Sequence, residues 1–384
     1  MSILKKVFTF LILGLIIFRL GFYIFSNRVS LLQKFYPEAH ERAYLGSTYV
    51  TKGGAPIPDH IVYGYAAWEY IHGKNPTLIN PEMPPLGKYL MGISILVFQR
   101  IQISSLMLGF LSLILVFLIG KTILKSTILA LIPVIILSFE PIFIGQLDTA
   151  LLDIYHLFFI LLAFYFFILA QRKNLFFIPA SLALGGVIAV KFYAAGIIVA
   201  FSWELYLIII RNYRGLINLI VSLPLAILVL MASYFKIFLE GESLRRFFGI
   251  QKWMWDFHSQ GKFLVPIGSI WQLIFLKKWI TWWADRRPLP APDWQITWPI
   301  TTIISLTMGA LALLKKRRWP SEANILLTWI IVYFTFLTFG IIYPRYLLPL
   351  LPFTYILSIL ALKMIKYPQW IYRLLFRLKT KKKP

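Results

Sequence analysis

LLDIYHLFFILLAFYFFILA, residues 151–170, runs straight into Gln171-Arg172-Lys173, and its reading decides the fold. Apart from Asp153 and His156, every residue in it is apolar or aromatic. About 20 such residues make a helix that crosses the hydrocarbon core of a bilayer. The basic pair that ends the run marks a cytoplasmic helix end. Asp153 sits at the opposite end, where an ionisable side chain is costly and is a functional candidate by default.

The same pattern extends in both directions. Further apolar stretches lie near 5–25, 101–121, 127–145, 175–190, 194–210, 216–236, 297–314, 323–342 and 346–363, giving about ten candidate transmembrane helices. The run 86–98 is apolar but short and follows Pro84-Pro85, so it reads as interfacial or re-entrant. Lys5-Lys6 set the N-terminus on the cytoplasmic side, and no small-residue cleavage site follows the first apolar run, which reads as an uncleaved helix. The even-numbered joins then fall inside. They carry Lys121 and Lys125, Arg172-Lys173, Arg211 and Arg214, Lys315 to Arg318, and Lys363 and Lys366, so every one is basic.

Composition agrees. The 384 residues are 59% hydrophobic, well above a soluble domain, and 17% aromatic, which suits interfacial belts. The net charge of +24 sits largely at the ends of apolar segments and points to anionic lipid, not to nucleic acid. With no cysteine, disulfides, thiolate metal sites and cysteine nucleophiles are excluded. The expectation is an all-α polytopic protein, one membrane domain over 1–384 with a basic cytoplasmic tail at 364–384. Two long extracytoplasmic loops, 27–100 and 237–298, are rich in Trp, Tyr, His, Pro and charge. Loops this long among tight helical hairpins usually carry function.

The first loop holds Pro58-Asp59-His60-Ile61-Val62-Tyr63-Gly64, then Tyr70-Ile71-His72-Gly73, then Asn80-Pro81-Glu82-Met83-Pro84-Pro85-Leu86-Gly87-Lys88. Arg100-Ile101-Gln102-Ile103-Ser104 follows, running into Leu108-Gly109. Carboxylates and cations at a membrane surface suit glycosyl transfer from a lipid phosphate. A carboxylate takes the proton of the attacking hydroxyl, and cations stabilise the departing phosphate. Arginine fits that second role through its planar fork. Other readings stand beside these: Asp59 after Pro58 suits a helix N-terminus, and Lys88, Lys191, Arg100 and Arg345 suit snorkelling cations at helix ends. Asp153 serves equally as a structural partner for one of those cations, and His258 as an ordinary loop residue. Arg19 reads as a snorkelling cation, and Glu140 and Glu204 have no evident partner.

The order of these motifs resembles the protein O-mannosyltransferase family of the GT-C superfamily, which takes sugars from polyprenyl or dolichyl phosphate. Leu151-Leu152-Asp153 with Phe158-Phe159 is similar to a further family element, as are Gly185-Gly186 through Lys191-Phe192. So are Trp255 to His258 with Ser269 and Trp271, and Pro344-Arg345-Tyr346 with Pro349 and Pro352. The resemblance spans about 59–355. It implies that Asp59 is the catalytic base and that Arg100 and Arg345, helped by Lys88 and Lys191, bind the donor phosphate. Glu82, Asp153, His60 and His258 take supporting places. The chain departs from the family at His60, Val62, Met83 and Asp148, where Glu, His, His and Arg are usual. These departures bear on protein O-mannosylation as such and leave the base and the phosphate cation in place.

The expected function is therefore an inverting, multi-pass glycosyltransferase of a prokaryotic plasma membrane with its site facing outside. It would carry a sugar, by default mannose, from a polyprenyl-phosphate donor to a protein, glycan or lipid acceptor. No cofactor is called for, and a divalent ion on a carboxylate pair stays open. A lipid-modifying transferase, a flippase for polyprenyl-linked sugar and a non-catalytic subunit of a glycosylation complex are the rival readings.

Overall fold

The computed structural model describes residues 3–260, 265–281, 287–314 and 320–364. The expected tail, the Lys315 to Arg318 join and part of the Trp279 to Trp283 cluster lie outside the described residues.

Each of the ten apolar stretches contains a helix. Five are long and apolar enough to span a bilayer by themselves: Lys6–Ser26, Gln102–Leu124, Leu152–Ala170, Tyr213–Ser233 and Ser321–Thr338. The helices Thr127–Ser138, Phe177–Val190, Ala194–Ile209, Thr297–Leu314 and Leu351–Met364 are shorter or carry flanking turns. Local chemistry sets several boundaries. Ser126 and Asn212 accept the backbone N–H groups of Leu129 and Gly215, each satisfying a donor the first helical turn leaves free.

The stretch expected as one helix over 127–145 is broken at Glu140, which precedes Pro141 and is extended at φ −71°, ψ 117°. A residue before proline is driven out of the helical region by the proline ring. The chain resumes as the single turn Pro141–Ile144. The carboxylate at this break is buried but not left unpaired: Glu140 accepts hydrogen bonds from Trp298 Nε1 at 3.1 Å and the Tyr355 hydroxyl at 2.7 Å. Those donors belong to the helices Thr297–Leu314 and Leu351–Met364, so Glu140 ties three elements together.

The helix Leu152–Ala170 is the central post. Of its most apolar 18 residues 67% are buried, against 11% for the first helix, which therefore lies at the periphery. It packs on Gln102–Leu124 on one side and Phe177–Val190 on the other. In lipid, close packing rather than the hydrophobic effect holds helices together, so small residues line the contacts. Gly186 presses on the Phe159 ring, and a methyl group at Gly185 would stand 2.5 Å from Val229 Cβ. Ser181 and Ser222 share a hydrogen bond of 2.8 Å across the second contact. The glycine pair thus sinks the Phe177–Val190 helix between two neighbours, and Lys191 ends that helix in extended backbone at φ −135°, ψ 169°.

The two long loops are themselves largely helical. The first contains Pro37–Leu45, Asp59–Ile71 and Leu86–Phe98; the second contains Leu244–Ser259 and Ser269–Leu276. One small departure from an all-α chain is an antiparallel pair of three-residue strands, Lys278–Ile280 with Pro288–Pro290. The loops are joined: Asn75 Nδ2 donates to Glu240 Oε2 at 2.5 Å, and His258 Nε2 meets the Glu82 carbonyl at 2.8 Å.

Candidate active site

Asp59 is the first residue of its helix, introduced by Pro58 in extended backbone at φ −64°, ψ 148°. A negative side chain is favoured there by the free N–H groups and positive end of the helix dipole. Its side chain keeps 38% of its exposure, and Oδ2 accepts from Arg345 Nη2 at 2.8 Å. Arg345 lies in the 3₁₀ turn Pro344–Leu347, which links the helices Ser321–Thr338 and Leu351–Met364. Its Nε stands 3.5 Å from Asp153 Oδ2 without a hydrogen-bonding geometry. Asp153 Oδ1 in turn accepts from Lys191 Nζ at 2.5 Å.

Asp59, Arg345, Asp153 and Lys191 thus form one chain of alternating charge drawn from four separate elements. Burial works against the Arg345 charge, but Asp153 and Asp59 outweigh it and raise the guanidinium pKa above its ordinary value. Arg345 stays a cation at any working pH. Aromatic faces line the chain: Arg345 lies 4.7 Å from the Tyr343 ring centre and Lys191 4.7 Å from that of Tyr346. Such contacts hold cations where carboxylates do not surround them. Tyr63, one helical turn after Asp59, is buried and interacts electrostatically with Asp59, Asp153 and Arg345.

The other expected cations stand apart. Lys88 is fully buried, and its ammonium donates to the Asn80 carbonyl at 2.8 Å, Asn80 Oδ1 at 3.0 Å and the Met83 carbonyl at 2.7 Å. All three of its hydrogens are spent on a turn in which Asn80 takes φ +50°. Asn80 also donates from Nδ2 to Glu82 at 2.5 Å, so Glu82 belongs to this turn. Arg100 donates from Nε to the Leu32 carbonyl at 3.0 Å and from Nη1 to the Phe98 carbonyl at 3.2 Å. Among the described residues it makes no ion pair with Asp59 or Asp153. The resemblance groups Lys88 and Arg100 with the phosphate cations; the structure engages both with backbone oxygens.

His60 neighbours His40. Burial, then that second imidazole, lowers its pKa, and Asp59 partly restores it. His258 packs on Phe192, directly after Lys191, with ring centres 4.2 Å apart. Burial lowers its pKa, the Glu82 carbonyl raises it in part, and Lys191 lowers it further. Among the described residues no group of three or more His, Cys, Asp or Glu side chains converges as metal ligands. The two nearest acids of the site, Asp59 and Asp153, already share Arg345.

Sequence reading missed Tyr63, Tyr343 and the partners of Glu140. The run Tyr343-Pro344-Arg345-Tyr346 carried a usable signal, because flanking aromatics often clamp a guanidinium. Nothing local pointed from Glu140 to Trp298 or Tyr355.

Comparison with known proteins agrees with this architecture. Residues 100–239 match the family model described as dolichyl-phosphate-mannose-protein mannosyltransferase. That span includes Asp153 and Lys191 but neither Asp59 nor Arg345. Among curated proteins none matches the chain by sequence. Among solved structures, ArnT from Cupriavidus metallidurans bound to undecaprenyl phosphate matches with a TM-score of 0.59 at 17% identity. That match covers 95% of this chain and 63% of the ArnT chain. ArnT in the apo state matches with a TM-score of 0.58 at 16% identity, over 83% of this chain and 57% of the other. The chain therefore spans less than two thirds of the length of the protein whose fold it shares. Residues 100–239 are thus similar to the dolichyl-phosphate-mannose-protein mannosyltransferase family model, and nearly all of the chain shares the fold of ArnT.

Proposed function

We propose that this protein is an inverting membrane glycosyltransferase that takes its sugar from a polyprenyl-phosphate donor and gives it to an acceptor hydroxyl. The observation that carries the reading is the ion chain Asp59–Arg345–Asp153–Lys191. It offers a partly exposed carboxylate and two partly buried cations within one continuous run of contacts. A likeness to a protein that binds undecaprenyl phosphate, and to a family named for dolichyl-phosphate mannose, supports the donor class.

In this mechanism the donor phosphate exchanges for Asp59 on Arg345. Arg345 occupies Asp59 Oδ2 at 2.8 Å; once the phosphate takes the guanidinium, that oxygen is open to accept a proton. The acceptor oxygen attacks the anomeric carbon, its proton passes to Asp59, and the bond to the lipid phosphate breaks with its electron pair on the phosphate. Arg345 and Lys191 stabilise that charge, and Asp153 keeps both cations aimed. Lys88, Arg100, Glu82, His60 and His258 shape the walls of the cavity between the loops 27–100 and 237–298. With the N-terminus cytoplasmic, this cavity faces outside the plasma membrane. Mannose is the sugar to test first, against protein, glycan and lipid acceptors.

The test is transfer of labelled sugar by the purified protein in lipid. Asp59→Asn should cut turnover by roughly 10²–10⁴-fold, the usual contribution of a general base, while the donor still binds. An equally active variant overturns Asp59 as the base. A wild type that moves labelled donor across the bilayer without transferring sugar makes the protein a flippase.

A further inference from the structure

A cavity of about 480 Å³ lies between the first helix and the broken segment 139–148, and none of Asp59, Arg345, Asp153 or Lys191 lines it. Its walls include Arg19, Tyr23 and Ser26 from the first helix and Phe139, Gly145 and Asp148 from the facing segment. The volume is in the range of small-molecule sites. The Arg19 guanidinium lies over the Phe139 ring, 5.1 Å from the centre, and its Nε is buried without a hydrogen-bond partner among the described residues. A buried guanidinium N–H left unpaired is costly, and is best explained by a ligand that accepts from it.

Asp148 supplies the opposite charge. Its carboxylate has the Tyr23 hydroxyl and, at 3.5 Å, the neighbouring Thr149 hydroxyl beside it, and among the described residues it forms no ion pair. Tyr23 stands between the two, close enough to interact electrostatically with both Asp148 and Arg19. One cation and one carboxylate in a single cavity leave it neutral, so neither a simple anion nor a simple cation complements it. An occupant with both a phosphate and an N–H-bearing ammonium does. The setting is lipidic: the first helix is 11% buried, with Phe18, Phe22 and Phe25 exposed on its surface, and the cavity sits at the helix end carrying Ser26 and Asn27.

We propose that this cavity is a binding site for a phosphoethanolamine headgroup of a membrane lipid, with the phosphate on Arg19 and the ammonium on Asp148. The acyl chains run down the exposed face of the first helix. A quaternary ammonium has no hydrogen to give Asp148, and a glycerol headgroup has no positive charge, so both bind less well.

Native mass spectrometry of the full chain released from mixed micelles tests this. The lipids offered are phosphatidylethanolamine, phosphatidylglycerol, phosphatidylcholine and undecaprenyl phosphate, with free phosphoethanolamine in a separate arm. The wild type should retain phosphatidylethanolamine about tenfold over phosphatidylglycerol and phosphatidylcholine. Arg19→Gln should lower that retention about tenfold, and Arg19→Lys should restore part of it. Asp148→Asn should bring the ethanolamine-to-glycerol ratio close to one without lowering glycerol-lipid retention. Free phosphoethanolamine should compete only at far higher concentration than the lipid; equal competition overturns the lipid as the source. No preference among lipid classes in the wild type, or a preference for undecaprenyl phosphate, overturns the proposal. So does an ethanolamine-to-glycerol ratio that both the Arg19→Gln and Asp148→Asn variants leave unchanged.

Discussion

Lys191 and Lys88 are both lysines held close to the two long loops, yet they are held in opposite ways. Lys191 faces a carboxylate, Asp153, which also faces Arg345, which also faces Asp59. Lys88 faces two carbonyl oxygens and a carboxamide oxygen, all from the turn Asn80–Met83. A cation neutralised by a carboxylate can trade that partner for a phosphate at little electrostatic cost, because one anion replaces another. A cation wrapped by neutral oxygens has no anion to trade, and pulling it out leaves several buried acceptors unpaired. The first arrangement suits a binding site and the second a wall. Residue type alone does not separate them.

The comparison can be broken at four points. The largest effect should come from Arg345→Lys, which keeps the charge but cannot reach Asp59 and Asp153 together. Sugar transfer should fall by roughly 10²–10³-fold, as when a preorganised donor to a developing anion is lost. Near-normal turnover would mean that the guanidinium fork plays no part. Lys88→Met should come next, and on stability: unfolding in detergent should be easier by ~1–3 kcal/mol because the turn's oxygens lose their donor. Donor affinity of the folded fraction should stay close to wild type; a selective loss of affinity would move Lys88 into the phosphate site.

Lys191→Met should do the reverse, weakening donor binding about tenfold, ~1.4 kcal/mol, with little change in melting temperature. A large fall in stability instead would make the Lys191–Asp153 pair structural. The smallest effect concerns His258, which links the Leu244–Ser259 helix to the Glu82 turn. Burial holds its pKa below the ordinary value, so below about pH 6.5 the unfolded chain binds more protons than the folded one. The loop contact should therefore weaken as pH falls through that range and be fully present above it. Hydrogen-exchange protection of Asn80, Glu82 and Met83, relative to the intrinsic rate at each pH, compared at pH 5 and pH 8 checks this; His258→Gln should make that protection independent of pH.

Much of the site was visible before folding, but as isolated letters. Asp153 stood out because a carboxylate interrupts an otherwise apolar run, and Arg345 because an arginine sits among prolines between two apolar segments. Lys191 and Arg100 looked alike, each a cation at a helix end. The difference lies in which partners each meets: Lys191 meets Asp153, 38 residues away, while Arg100 meets the Leu32 carbonyl, 68 residues away. Glu140 carried no readable role, and the stretch around it read as one helix over 127–145 until the structure showed the break before Pro141. Its partners lie 158 and 215 residues further on.

The sequence by itself determined the membrane class, the ten helical stretches and the basic joins between them. Hydrophobicity, helix length and proline geometry act over a few turns of chain and leave their record in neighbouring residues. Tertiary structure alone decided that Asp59 meets Arg345 across 286 residues, and that Lys88 is spent on a turn. It also decided that Arg19 and Asp148 share a cavity. Charges find partners by distance in space. In a bundle whose helices pack through small residues such as Gly185 and Gly186, that distance is set by which helices touch and at what depth.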